Sequence, residues 1–125
     1  MPHKKFRCPI YGVTVFLVWG EFEVLKRFLL KHFNVIADEK IPELGSVASE
    51  AHPKTGVTQF IIYTVNKSYK KNSTKDEIQV HETFHLVKRI FDWIGIGLCD
   101  ESEEVWSHYQ EYWYKTFKET LKRGG

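Results

Sequence analysis

Residues 80–87 read Val-His-Glu-Thr-Phe-His-Leu-Val, and the spacing of His81 and His85 is suited to joint chemistry. On an α-helix, side chains four apart lie on one face, so both imidazoles can turn a ring nitrogen toward one point. Two imidazoles so placed suit zinc, and Glu82 beside them carries a carboxylate free to accept a proton. A hydrolytic zinc site needs these parts, one further ligand and an open corner for water. The flanking residues Ile78, Gln79, Val80, Thr83, Phe84, Leu86 and Val87 are all uncharged, as a dry metal-bearing helix requires. The plainer reading is a helix with two surface histidines.

Glu104 follows His85 after eighteen intervening residues. The motif with a glutamate at that distance resembles the gluzincin metallopeptidases, the group that holds thermolysin and the zinc aminopeptidases. The resemblance covers residues 78–113 and does not extend to a large gluzincin elsewhere in the chain. It implies Zn2+ held by His81, His85 and Glu104, with Glu82 activating water to cleave a peptide or related amide bond. The order of motif, Gly-Ile turn, Asp100-Glu101-Ser102-Glu103-Glu104 and aromatic helix is also similar to small phage-encoded proteins classed as metallopeptidase-like. That second resemblance fits the short length. Two other functions stay open: a non-catalytic zinc-binding module, and a phage-type protein-interaction module without metal.

A tetrahedral oxyanion also needs a second donor. His108, one helical turn after Glu104, is the candidate for that catalytic role, with the phenols of Tyr109 and Tyr112 behind it. Asp92, two turns after His85, is placed either to orient a ligand or simply to meet solvent.

The elements that must position these groups follow from patterning. At 125 residues the chain is read as a single zincin-like domain over residues 1–125, long enough for a core but short for a deep cleft. An apolar fraction of 42% with nine Phe, six Tyr and four Trp marks a folded protein. A net charge of only +2, spread along the chain, argues against a dedicated nucleic-acid binder. The partner expected is a peptide or protein substrate, and composition says nothing of oligomeric state. Cys8 and Cys99 are too few to staple such a domain and read as reduced thiols, hence a cytoplasmic protein, in the host cytoplasm if phage-encoded. The basic start and apolar residues 13–19 imitate a signal peptide, but no small-residue cleavage site follows and the run is too short to span a bilayer.

Residues 11–19 are apolar on both faces and predict a central strand. Phe22, Leu25, Phe28, Leu29 and Phe33 recur at helical spacing, giving an amphipathic helix over residues 21–33. His32 reads as a C-terminal cation and His52 as a loop residue. Val35-Ile36 and residues 46–48 are candidate short strands, and residues 57–65 a strong one. The lysine-rich residues 67–75 read as a solvated loop. A capping box of Thr74 and Glu77 opens the motif helix, whose apolar stripe is Ile78, Val80, Phe84, Val87, Ile90, Phe91 and Ile94, with Gly95 as its stop. His81 and His85 fall off that stripe beside Lys88 and Asp92, and Leu86 and Trp93 lie on another side. The last helix is placed from Asp100, with Glu103 as its reciprocal cap, which leaves Glu104 ahead of Glu103 and Glu101 as third ligand. Glu104 nevertheless falls opposite the aromatic stripe of that helix. The fold expected is α+β: a minimal zincin-like domain with a small mixed sheet against the zinc-site and C-terminal helices.

Overall fold

The computed structural model describes residues 2–37, 45–64 and 75–124. Within them the chain runs β1 (His3–Arg7), β2 (Thr14–Trp19), α1 (Phe22–Phe33), β3 (Gly45–Ala51), β4 (Thr58–Thr64), α2 (Lys75–Ile94) and α3 (Glu103–Gly124). The strands form one mixed sheet in the order β1-β2-β4-β3. Its central pair, β2 and β4, is parallel, and both outer strands are antiparallel to their neighbours. The class is therefore α+β. No helix among the described residues is long and apolar enough to cross a membrane.

Strands apolar on both faces belong at the centre of a sheet covered twice, and β2 and β4 are those strands. On one face Phe16, Val18, Ile61 and Tyr63 pack against Leu25, Phe28 and Phe33 of α1. On the other, Val15, Leu17, Phe60 and Ile62 meet Leu86, Ile90 and Phe91 of α2 and the buried aromatic row of α3. That row is Trp106, Tyr109, Trp113 and Phe117, the stripe its helical spacing implies.

Several elements depart from the sequence expectation. β1 lies in the basic start, where only Phe6 is a large apolar residue. Phe6 reaches the α3 side, 6.1 Å from Trp113 and 5.9 Å from Phe117, while His3 turns to α1, 5.1 Å from Phe28. Lysines on an edge strand keep other chains from pairing with it, and they also hide its periodicity. Val35-Ile36 forms no strand. Asn34 closes α1 in the left-handed conformation, and Val35 packs into the α1-side core. β3 extends beyond residues 46–48 because its whole length pairs with β4. Thr74, the expected cap of α2, lies outside the described residues, as do the other residues of 67–74 in the lysine-rich run.

The apolar stripe of α2 is rotated from the one expected. Val80 and Phe84 are exposed, whereas Leu86 is fully buried beside Val87, Ile90 and Phe91. Gln79, Glu82 and Thr83 are buried along with Leu86, so three polar residues lie on the covered part of the helix. α3 begins at Glu103, not Asp100, so Glu103 is the first helical residue rather than a reciprocal cap. Ser102 occupies the cap position: its carbonyl accepts the Trp106 N–H at 3.0 Å, and its hydroxyl accepts from the Cys99 N–H and donates to the Gly97 carbonyl. Ser102 ties down the connection from α2, which is the work the sequence reading gave to Glu103.

Candidate metal centre

α2 is covered by the sheet on one side and α3 on another, which leaves His81, His85, Lys88 and Asp92 on its open side. There the two Nε2 atoms lie 3.2 Å apart, with ring centroids 4.7 Å apart. Two nitrogens bound tetrahedrally to zinc at its usual bond length stand about 3.3 Å apart. The separation is close to that value, and in the unliganded rings it is the length of a hydrogen bond between them. Burial first, then the charges of His81, Arg89 and Lys88, holds His85 below its ordinary pKa, which favours the neutral ring, and the two Nε2 atoms share a hydrogen bond that a metal would replace.

Glu82 occupies a different side of the helix. It is only 6% exposed and faces the start of β3, where Gly45 makes room for it. A Cβ on Gly45 would come 2.8 Å from Glu82 Cγ and 2.7 Å from the Tyr63 carbonyl oxygen. Burial raises the Glu82 pKa, and the neighbouring His81 pulls partly against that rise. The carboxyl thus sits within electrostatic reach of the histidine pair but not on its solvent-facing side. Gln79 and Thr83 flank it, and the Gln79 Oε1 and Thr83 Oγ1 atoms are buried without hydrogen-bond partners among the described residues. Their i, i+3, i+4 spacing with Glu82 is visible in the sequence; only the rotation of the helix shows that this side turns inward.

Glu104 stands apart from the histidine pair. Its side chain is 87% exposed and accepts the Nε2 of His108 at 3.2 Å. Phe84 connects the two regions, 6.1 Å from His85 and 6.2 Å from Trp106 in the first turn of α3. Among the described residues no three His, Cys, Asp or Glu side chains are grouped to hold a metal. The two histidines offer two nitrogen ligands, and Glu104, the expected third, is bonded to His108 instead.

The remaining candidates are placed as follows. Glu101 and Glu103 are exposed at the entrance to α3. Tyr109 is core: it stacks on Phe91 at 5.0 Å, and its hydroxyl donates to Cys8 Sγ at 3.3 Å. Tyr112 lies partly exposed against Trp113. Asp92 is engaged by Lys88 at 2.8 Å on the surface. Comparison with protein-family models, curated proteins and solved structures gives no match to this chain. The functional reading therefore rests on the side chains themselves.

The Gly45 approach makes a direct prediction. Gly45→Ala forces a methyl between a paired strand and Glu82, and overpacking of this kind costs about 1–3 kcal/mol. The expected outcome is a lower thermal midpoint with no loss of secondary structure by circular dichroism. An unchanged midpoint would show that Glu82 does not pack on β3.

Proposed function

We propose that this protein is a small zinc-dependent hydrolase, a zincin-like metallopeptidase that cleaves a peptide or related amide bond. The observation that carries the reading is the 3.2 Å separation of the His81 and His85 Nε2 atoms on the open side of α2. His81 and His85 would hold the metal, with Glu104 as third ligand. Zinc, when bound, supplies a Lewis acid and lowers the pKa of bound water toward neutrality. Glu82 is the proton carrier. Its carboxyl, held above the usual range by burial on the β3 side of α2, would turn toward the histidine pair to take a proton from water and return it to the leaving amine. His108, freed from Glu104, is the candidate donor to the developing oxyanion.

A peptide substrate suits the sheet. β3 is an outer strand with no neighbour on its far side among the described residues. An extended peptide can add to such an edge through its backbone, and β3 starts at Gly45, against Glu82. The two cysteines are free, Cys8 buried and Cys99 exposed, which suits a reducing cytoplasm, that of a host if the chain is phage-encoded.

The deciding experiment is metal analysis of untagged protein equilibrated with zinc and then dialysed. The parent is expected to keep about one zinc per chain, and His81→Ala to lose it, since a two-legged site cannot hold the ion. A parent that retains no zinc, or a variant that retains as much, overturns the proposal.

A further inference from the structure

A second concavity, about 630 Å³ in volume, opens on the opposite face of the sheet, beyond the C-terminal end of α1. It lies within the size range of small-molecule sites. Its walls come from three parts of the chain: His3 and Lys5 of β1, His32 of α1, and His52 and Thr55 of the turn joining β3 to β4. Phe16 and Phe33 also line it, and Lys5 Nζ is poised over the Phe16 ring, 5.9 Å from its centroid.

The chemistry of the lining is one-sided. Among the described residues that line it there is no carboxylate. Glu50, directly across from the lining residue Gln59 on the neighbouring strand, shares its face of the sheet and flanks the pocket. His52 Nδ1 accepts the backbone N–H groups of Lys54 and Thr55 at 3.1 and 3.3 Å. That fixes the proton of the neutral ring on Nε2, leaving an N–H donor for a ligand. His32 Nε2 is buried and has no hydrogen-bond partner among the described residues. Burial, together with neighbouring positive groups that include Lys31, keeps both His3 and His32 below their ordinary pKa. Among the described residues that line the pocket, Lys4 and Lys5 are the standing cations and none is an acid.

We propose that this concavity binds a phosphoryl group, free or carried on a small phosphomonoester. Donors arriving from β1, α1 and the β3–β4 turn suit a tetrahedral oxyanion with several acceptor oxygens better than a flat carboxylate with two. Lys5 supplies the charge, His52 and Thr55 supply directed donors, and the remaining volume accommodates the body of an ester. The site is separate from the histidine pair of α2 and does not depend on its reading.

The test is a two-dimensional amide and imidazole NMR titration of the full chain at low ionic strength with inorganic phosphate, ribose 5-phosphate or acetate. Phosphate or ribose 5-phosphate is expected to give saturable shifts at Thr55, Gln59 and the His52 ring, with a Kd of about 1 mM or tighter. Tighter binding of ribose 5-phosphate identifies an ester as the ligand, and equal binding identifies free phosphate. Lys5→Ala, whose exposed side chain leaves the fold intact, should weaken binding roughly tenfold by removing a charge-assisted contact. His52→Gln should weaken it as well. Lys115→Ala, on the exposed surface of α3, should leave it unchanged. The proposal is overturned if neither phosphate probe saturates, if acetate binds as well, or if Lys115→Ala weakens binding as much as Lys5→Ala.

Discussion

Glu82→Gln is expected to lower turnover of a peptide or amide substrate by about 10²–10⁴-fold, the usual range for losing a positioned acid–base group, while zinc per chain stays at the parental level. Glutamine keeps the shape of the side chain that packs on Gly45, so the helix and the His81–His85 pair stay in place. What it removes is the only group in the site that is both buried and able to carry a proton. The same change should not harm stability. Burial raises the folded-state pKa of Glu82 above its unfolded value, so its contribution to stability is fully present below the unfolded pKa. That contribution is lost as pH rises through the folded pKa. Above the folded pKa the ionised carboxyl is a burden that glutamine lacks, so there the variant's thermal midpoint should equal or exceed the parent's. An inactive, fully metallated and undiminished Glu82→Gln protein is the signature of catalysis. Turnover that survives the substitution would instead make the motif a non-catalytic metal-binding site.

How far the sequence reveals this arrangement depends on what each residue's position is decided by. The central strands and α1 are legible because long apolar periods leave one solution: Val15 and Leu17 must face one core and Phe16 and Val18 the other, and they do. The open histidine face of α2 is legible for the same reason, since His81 and His85 share a side with Lys88 and Asp92. β1 is not, because a lysine-rich edge strand is chosen by the partner it pairs with and not by its own periodicity. The rotation of α2 is hidden too. Val80 and Phe84 look like core, but the cavity beside Gly45 accepts Glu82 with Gln79 and Thr83 alongside, and only the tertiary contact reveals that cavity. The start of α3 lies at Glu103, later than its local signal indicates. Asp100 and Glu103 have the spacing of a capping box, yet Ser102 makes the bonds that close the turn. The direction of Glu104, bonded to His108 on its own helix, is a rotamer choice that spacing cannot express.

Trp113→Ala is expected to destabilise the fold by about 3–5 kcal/mol, the cost of truncating a buried aromatic and leaving its cavity. Trp113 is fully buried and touches rings from two elements: Phe6 of β1 at 6.1 Å, and Tyr109 and Phe117 of its own helix at 6.0 and 5.3 Å. Against a total stability of about 5–15 kcal/mol for a domain, that loss should lower the thermal midpoint by roughly 10–25 °C. Trp93→Ala provides the contrast. That indole is more than half exposed, meets Phe60 only at a ring edge 6.1 Å away, and should cost less than about 1 kcal/mol. The two substitutions also separate packing from chemistry. Tyr109, beside Trp113, stacks on Phe91 of α2, so the indole helps fix α3, which carries Glu104, against the helix that carries both histidines. If Glu104 completes the metal site, Trp113→Ala should weaken zinc retention at temperatures where the protein is still folded, and Trp93→Ala should not. Equal zinc retention in the two folded variants would remove α3 from the metal site and leave the histidine pair to find its third ligand elsewhere.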